Sequence, residues 1–234
     1  MFNWQMEKFC LILIGDSSRK VESDVLKVLN KQPLARHISF ISSVEQPEWA
    51  EWMKAKQRSM AGIGEGAAGC LIAHRRAWAL LLAEGFEHAL ILESDARLTK
   101  YGKKHLENFI SNLTGDGMNI VHFGTHESNL LIPRLGNCLR WSLRNVTREF
   151  LDRCILKFIS PVLVVRKFPF STHAYFINLK TARELLEIPP NFLAPIDVLL
   201  NAYSQVRANR VAAVRTPLFV QSLNSESLTR KFGR

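Results

Sequence analysis

Four apolar residues in a row, Ala89-Leu90-Ile91-Leu92, run directly into Glu93-Ser94-Asp95. A short apolar run of this kind reads as a buried strand. Carboxylates at i and i+2 share one face of a strand. At the strand's end both can reach one point above the sheet. Oxygen donors so spaced suit a hard divalent cation, Mg2+ or Mn2+, and such a cation can hold a diphosphate. The competing reading is a solvated acidic turn. Which reading holds depends on what the rest of the chain places around that strand.

A chain of 234 residues is ample for a full hydrophobic core. We expect one domain over residues 1–222, followed by a basic tail over 223–234. The net charge of +10 and pI near 9.7 attract anions: phosphates, nucleic acid or an anionic membrane face. Cys10, Cys70, Cys138 and Cys154 form no C-x-x-C pair. They read as reduced thiols of a cytosolic protein. Residues 1–8 carry no secretory pattern, and no stretch is long and apolar enough to span a bilayer. The expectation is a cytoplasmic protein with at most peripheral contact with the inner membrane.

Residues 9–14 read as a first strand stopped by Gly15, and 37–42 as a second; helical patterns fall over 21–29 and from Pro47. This alternation opens an α/β fold. Residues 61–69 read as a flexible glycine loop able to close over a substrate. Gly64, Gly66 and Gly69 match G-x-G-x-x-G literally. No strand feeds them, so a dinucleotide site is not inferred. Residues 70–84 form a strong helical pattern capped by Gly85. A helix is expected over 101–113 and strands over 119–124, 161–166, 172–177 and 210–220. Short helices are expected over 181–187 and after Pro195-Ile196-Asp197. Between 130 and 167 basic residues such as Arg134, Arg140, Arg144, Arg148 and Arg153 interleave with Trp141, Phe150 and Phe158. That segment is either a solvated helix face or a patch for an anionic acceptor or membrane. His122 and His126 flank Gly124 and are left outside the expected metal site.

Several of these stretches, taken in order, resemble glycosyltransferase family 25, the bacterial lipooligosaccharide sugar transferases. Gly69-Cys70-Leu71-Ile72-Ala73-His74 with Trp78 is similar to that family's G-C-x-x-S-H and downstream helix. Leu90-Ile91-Leu92-Glu93-Ser94-Asp95 is similar to its L-E-D-D strand end. Thr172-His173-Ala174-Tyr175-Phe176-Ile177 with Ala182 and Leu185-Leu186, then Pro195-Ile196-Asp197, is similar to its Y-x-I, A-x-x-L-L and P-x-D segments. Leu13-Ile14-Gly15-Asp16 with Arg19 sits where the family has a strand and an Asp/Arg-rich turn. Three positions depart from the pattern: Ala67 replaces a glutamate, with Glu65 nearby, Ala73 replaces a serine, and Ser94 replaces the middle acid.

The resemblance implies a GT-A type, Rossmann-like α/β fold with a mostly parallel central sheet flanked by helices. It also implies a nucleotide-sugar donor, commonly UDP-galactose, and inversion at the anomeric carbon. The acceptor would be a lipid-linked or oligosaccharide acceptor of lipopolysaccharide type. The departing nucleoside diphosphate gains negative charge, which a metal on Asp95 and Glu93 would neutralise. Asp16, Arg19, His74, Glu93 and Tyr175 are the expected donor-binding residues. Tyr175 is equally well read as packing and His74 as hydrogen-bonded structure. Inversion by single displacement needs a base for the acceptor hydroxyl. Asp197 is the candidate, its alternative being a helix cap. Two other classes compete. One is a transferase-like protein that binds glycan or nucleotide sugar without turnover, motivated by Ser94 and Ala73. The other is a nucleic-acid binder, motivated by charge alone and lacking any recognition signature, so nucleic acid is not an expected partner.

Overall fold

The computed structural model describes residues 9–15, 38–41, 65–113, 118–126, 162–164, 172–189, 194–206, 211–214 and 216–221. Asp16, Arg19, the helical patterns over 21–29 and after Pro47, most of the basic 130–167 segment and the tail lie outside these residues.

The first strand, β1 (Phe9–Ile14), is buried along its whole length. Its side chains alternate between two cores. Cys10, Ile12 and Ile14 enter one, while Phe9, Leu11 and Leu13 enter the other. Burial on both faces is why the run reads as unbroken apolar sequence. The strand pairs in parallel with β2 (Ile38–Ile41) on one side and with β3 (His88–Glu93) on the other. Helix α1 (Glu65–Ala83) connects into β3 and covers the first core with Leu71, Trp78 and Leu81. Gly85, at φ 72°, takes the left-handed turn that ends it.

Beyond β3 the order of the main sheet is β2-β1-β3-β8-β5-β9-β7. The strands are β5 (Ile120–His122), β7 (Val162–Val164), β8 (Ala174–Asn178) and β9 (Val211–Val214). β8 is antiparallel to both β3 and β5, and β7 is antiparallel to β9. The other five strands point one way, which gives the mostly parallel sheet expected. Helices α3 (Leu179–Leu186) and α4 (Ile196–Val206) lie with α1 over the first core. Asn178 caps α3 by accepting from Thr181 N–H at 2.8 Å. Helix α2 (Lys100–Leu113) covers the other face with Leu106, Phe109, Ile110 and Leu113. A second sheet, β4-β10-β6, closes over that side. Its strands are β4 (Ala96–Leu98), β6 (Gly124–His126) and β10 (Phe219–Gln221).

Three sequence expectations are corrected. Residues 65–69 are not loop: α1 already begins at Glu65. Helical glycine costs about 1 kcal/mol each, and burial of the first turns, Ala68 and Leu71 among them, outweighs it. The single strand expected over 119–124 is divided between two sheets. Phe123 N–H still donates to Ala174 O of β8, whereas Phe123 O accepts from Leu218 and Phe219 of the second sheet. The late strand over 210–220 divides in the same way. Pro217 lies between its halves and has no N–H to continue a ladder.

The start of α2 yields a stability prediction. Thr99 caps it, its Oγ1 accepting from Gly102 N–H at 2.8 Å while donating to Pro217 O at 2.9 Å. This docks the helix against the 217–218 backbone. A Cβ on Gly102 would lie 2.1 Å from Leu218 O and 2.8 Å from a Leu98 methyl. In an unhindered helix Gly→Ala stabilises by about 1 kcal/mol. Here we expect Gly102→Ala to destabilise by about 2–3 kcal/mol, because a backbone carbonyl cannot swing aside as a side chain can. Urea unfolding midpoints decide the sign, with the exposed Lys104→Ala of the same helix as a near-neutral control.

Candidate active site

The functional side chains gather where β1 and β3 end at their carboxyl edge and where the antiparallel β8 begins. In open α/β sheets this edge is where ligands bind. The register pairs Ile14 with Glu93. Ser94 N–H then donates to Ile14 O at 2.8 Å, and Glu93 N–H to His173 O at 2.9 Å. A Cβ on Gly15 would stand 2.6 Å from Ser94 Cβ, so β1 leaves the sheet past Ser94 only because residue 15 is glycine. Arg97 fastens the turn from the other side, donating to Ser94 O and Ala96 O at 3.0 Å each.

Glu93 continues the alternation of Ala89 and Ile91 toward α1. Its Oε1 accepts from the Thr172 hydroxyl at 2.6 Å and lies 3.2 Å from His74 Nε2. His74 is fully buried, and Tyr175 Oη stands 2.8 Å from its Nδ1. Trp78 Nε1–H donates to the same tyrosine oxygen at 3.0 Å. The directions follow from chemistry. An ionised carboxylate only accepts, so a neutral His74 carries its proton on Nε2, and Nδ1 accepts the Tyr175 hydroxyl. Trp78, Tyr175, His74 and Glu93 thus form one hydrogen-bonded chain that fixes the carboxylate. Burial pushes the Glu93 carboxyl up. The His74 and Thr172 hydrogen bonds and the nearby imidazoles outweigh it and leave Glu93 below its ordinary range.

Asp95 behaves in the opposite way. It is buried, and its Oδ2 accepts from Gln221 Nε2 of β10 at 2.8 Å. Burial, then the Glu93 charge, raise its carboxyl to about 6, against the pull of Gln221 and Arg97. Two carboxylates that repel each other at the end of one strand are a donor set that a divalent cation would relieve. Among the described residues neither hydrogen bond of Glu93 uses Oε2, so that oxygen is not committed to a protein donor. The residues present therefore fit a hard cation.

Asp197 lies in the first turn of α4, its Oδ1 accepting from Val198 N–H at 2.9 Å. Its charge reaches Cys70, on α1, whose thiol is pushed up first by burial and then by the charges of Glu93, Asp95 and Asp197. Thr172 beside the sulfur pulls the other way. Of the residues expected from sequence, Tyr175, His74 and Glu93 are joined by hydrogen bonds, Asp95 follows Glu93 in the turn after β3, and Asp197 stands in the first turn of α4. His74 and Tyr175, however, are closed off in the core and support Glu93 from behind. Asp16 and Arg19 lie outside the described residues. His122 is buried and packs edge-on against His173, ring centroids 6.1 Å apart.

Sequence reasoning missed Thr172, His173 and Gln221 as site residues. Thr172-His173 precedes a strand, and that strand's place beside β3 is what puts the pair at the site. Gln221 had no signal, being 126 residues from the carboxylate it holds.

The family model described as glycosyltransferase family 25 (LPS biosynthesis protein) matches residues 30–200. A curated relative from Aedes aegypti, called a glycosyltransferase 25 family member, is 26% identical over 134 residues. That match takes in 56% of this chain and 19% of the relative, so the chain spans about a fifth of the relative's length. Among solved structures, a glycosyltransferase involved in glycosylating the major capsid of PBCV-1 is similar with a TM-score of 0.47 at 14% identity, covering 94% of this chain and 96% of that one. Glucosyl-3-phosphoglycerate synthase from Mycobacterium tuberculosis, in complex with Mn2+, UDP and glucosyl-3-phosphoglycerate, is similar with a TM-score of 0.46 at 14% identity, covering 96% and 78%.

Proposed function

This chain belongs to glycosyltransferase family 25, and from that premise we propose that it transfers a hexose from a nucleotide sugar to a glycan acceptor with inversion, assisted by a divalent cation. The observation that carries the proposal is the pair of carboxylates at the end of β3, Glu93 fixed by His74 and Thr172 and Asp95 raised by burial and by the Glu93 charge beside it. Glu93 and Asp95 would hold the cation, Mn2+ or Mg2+. When bound, it neutralises the charge that builds on the departing diphosphate. Glu93 is kept ionised and oriented by His74 and Thr172. Asp95 is held by Gln221. Asp197, partly exposed at the start of α4, takes the acceptor hydroxyl's proton as that oxygen attacks the anomeric carbon. UDP-galactose is the first donor to try. A lipopolysaccharide-type acceptor and peripheral contact with an anionic membrane belong to the same reading, which the net charge of +10 suits. No described helix is long and apolar enough to cross a membrane.

The test is release of nucleotide from a panel of nucleotide sugars, with and without Mn2+ and with acceptor glycans. Donor-selective release that requires the cation is the expected result and identifies the sugar. Binding of a donor with no turnover on any acceptor would favour the alternative, a transferase-like binding protein. Absence of donor binding under every metal condition would overturn the reading.

A further inference from the structure

The face of α1 that meets β3 carries a donor set of another kind. Cys70 and His74 are one helical turn apart, at i and i+4, and so project from one face. Glu93 meets them from the strand end. One ligand atom from each of the three lies within 4.8 Å of the others, and His74 Nε2 and Glu93 Oε1 are already 3.2 Å apart. Tetrahedral ligation at bond lengths of about 2.0–2.3 Å places ligand atoms about 3.3–3.8 Å apart. The cluster thus reaches that geometry by a small inward movement of the sulfur. We propose that Cys70, His74 and Glu93 bind a borderline-soft divalent cation, Zn2+ or a metal of similar preference, as a site of its own.

The ligand types argue for it. A thiolate and an imidazole favour Zn2+ over Mg2+ or Mn2+, which take oxygen donors. His74 is also set up as metal-bound histidines are, its second nitrogen held by a buried hydroxyl. Tyr175 can donate or accept. It therefore stabilises the metal-free tautomer, with the proton on Nε2, and the metal-bound one, with the proton on Nδ1 and the Nε2 lone pair on the metal. Ligation through the thiolate releases the Cys70 proton to solvent. Cys70 and Glu93 are partly exposed, which gives the ion a way in, and the fourth position falls to water. The site shares Glu93 with the proposed donor-metal pair but does not depend on that reading. If the donor-metal pair is also as proposed, Zn2+ seated here takes Glu93 from Asp95 and so acts as an inhibitor.

The test is spectroscopic and uses the full chain, stripped of metal with chelator, in reducing buffer without nucleotide sugar. Co2+ titration is expected to give a near-ultraviolet thiolate-to-cobalt absorption saturating at one equivalent, abolished by added Zn2+. Cys70→Ser should remove the band and weaken Zn2+ binding by about 100-fold or more, while Cys10→Ser, a buried thiol elsewhere in the core, should leave both unchanged. Unfolding curves of each variant show that the fold is kept. Zinc-edge X-ray absorption of the wild-type chain gives a second readout, with one sulfur in the first shell expected. A band that survives Cys70→Ser, or a shell of oxygen and nitrogen alone, overturns the proposal. A chain that binds no sugar nucleotide under any metal condition yet shows the cobalt band would overturn the transferase reading and support this one.

Discussion

Asp95→Asn is expected to give a protein that is more stable and far less active. Burial and the Glu93 charge raise the Asp95 carboxyl to about 6, above its ordinary value near 4. The folded state therefore holds this proton more tightly than the unfolded chain does. The sign follows from linkage. Above pH 6 the ionised group destabilises the metal-free fold. That penalty fades as pH falls through 6 and is gone below about 4. Asparagine is a neutral replacement of the same shape, and its amide oxygen keeps the Gln221 bond. At pH 7–8 without metal, Asp95→Asn should thus raise stability by about 1–3 kcal/mol, and at pH 4 the two proteins should unfold alike. Glu93 titrates in a separate, lower window. Its depressed carboxyl contributes stability that is lost as pH falls through its folded value, in both proteins equally. Activity should move the other way. Loss of one anionic ligand should lower kcat/KM by about 100-fold or more and remove the Mn2+-induced rise in Tm expected of the wild type. A variant that is destabilised at pH 8, or that keeps Mn2+-dependent turnover, would remove Asp95 from the metal site.

Asp197→Asn should separate chemistry from folding in a different way. The Asp197 side chain is partly exposed and in the first turn of α4, where a negative charge is worth about 0.3–1 kcal/mol against the helix dipole. Asparagine retains an oxygen to accept from Val198 N–H, so the stability cost stays within that figure. As a base it is useless. The expected loss is about 100- to 10,000-fold in kcat, with donor affinity unchanged because, in the proposed reading, the donor's diphosphate would be held through the cation on Glu93 and Asp95 and not by Asp197. Equal loss in donor affinity and kcat would mean that Asp197 holds substrate instead of taking a proton. An unchanged rate would return it to the role of a helix-start residue.

Much of this site was legible because its residues are bound to local patterns. An apolar run that ends in two acids is a strand with carboxylates at its tip, whatever the strand pairs with, and β3 is that strand. Gly85 and Pro195 mark where α1 ends and α4 begins. The one-face spacing of Cys70 and His74 is a property of any helix. Other features were misread for an equally local reason. Glycine-rich sequence over 61–69 reads as loop because glycine is a poor helix former, and only burial of Ala68 and Leu71 makes helix the cheaper state at residues 65–69. Phe123 and Pro217 sit inside apolar runs that look continuous, and the run alone does not say that the backbone changes sheets there.

The sequence by itself determined the elements and the chemical types at their ends: a buried strand carrying Glu93 and Asp95, a helix carrying Cys70 and His74, and a loop-to-helix step carrying Asp197. These depend on side-chain periodicity and backbone preference, which act over a few residues. Only the tertiary structure decided what those groups are. Insertion of the antiparallel β8 beside β3 brought Thr172 to Glu93 and Tyr175 to His74, and against the push of burial the His74 and Thr172 hydrogen bonds leave the Glu93 carboxyl below its ordinary range. The second sheet brought Gln221 to Asp95, and burial with the Glu93 charge raised that carboxyl to about 6. Charge, proton position and burial are set by neighbours that lie up to 126 residues away in the chain, and no local pattern encodes them.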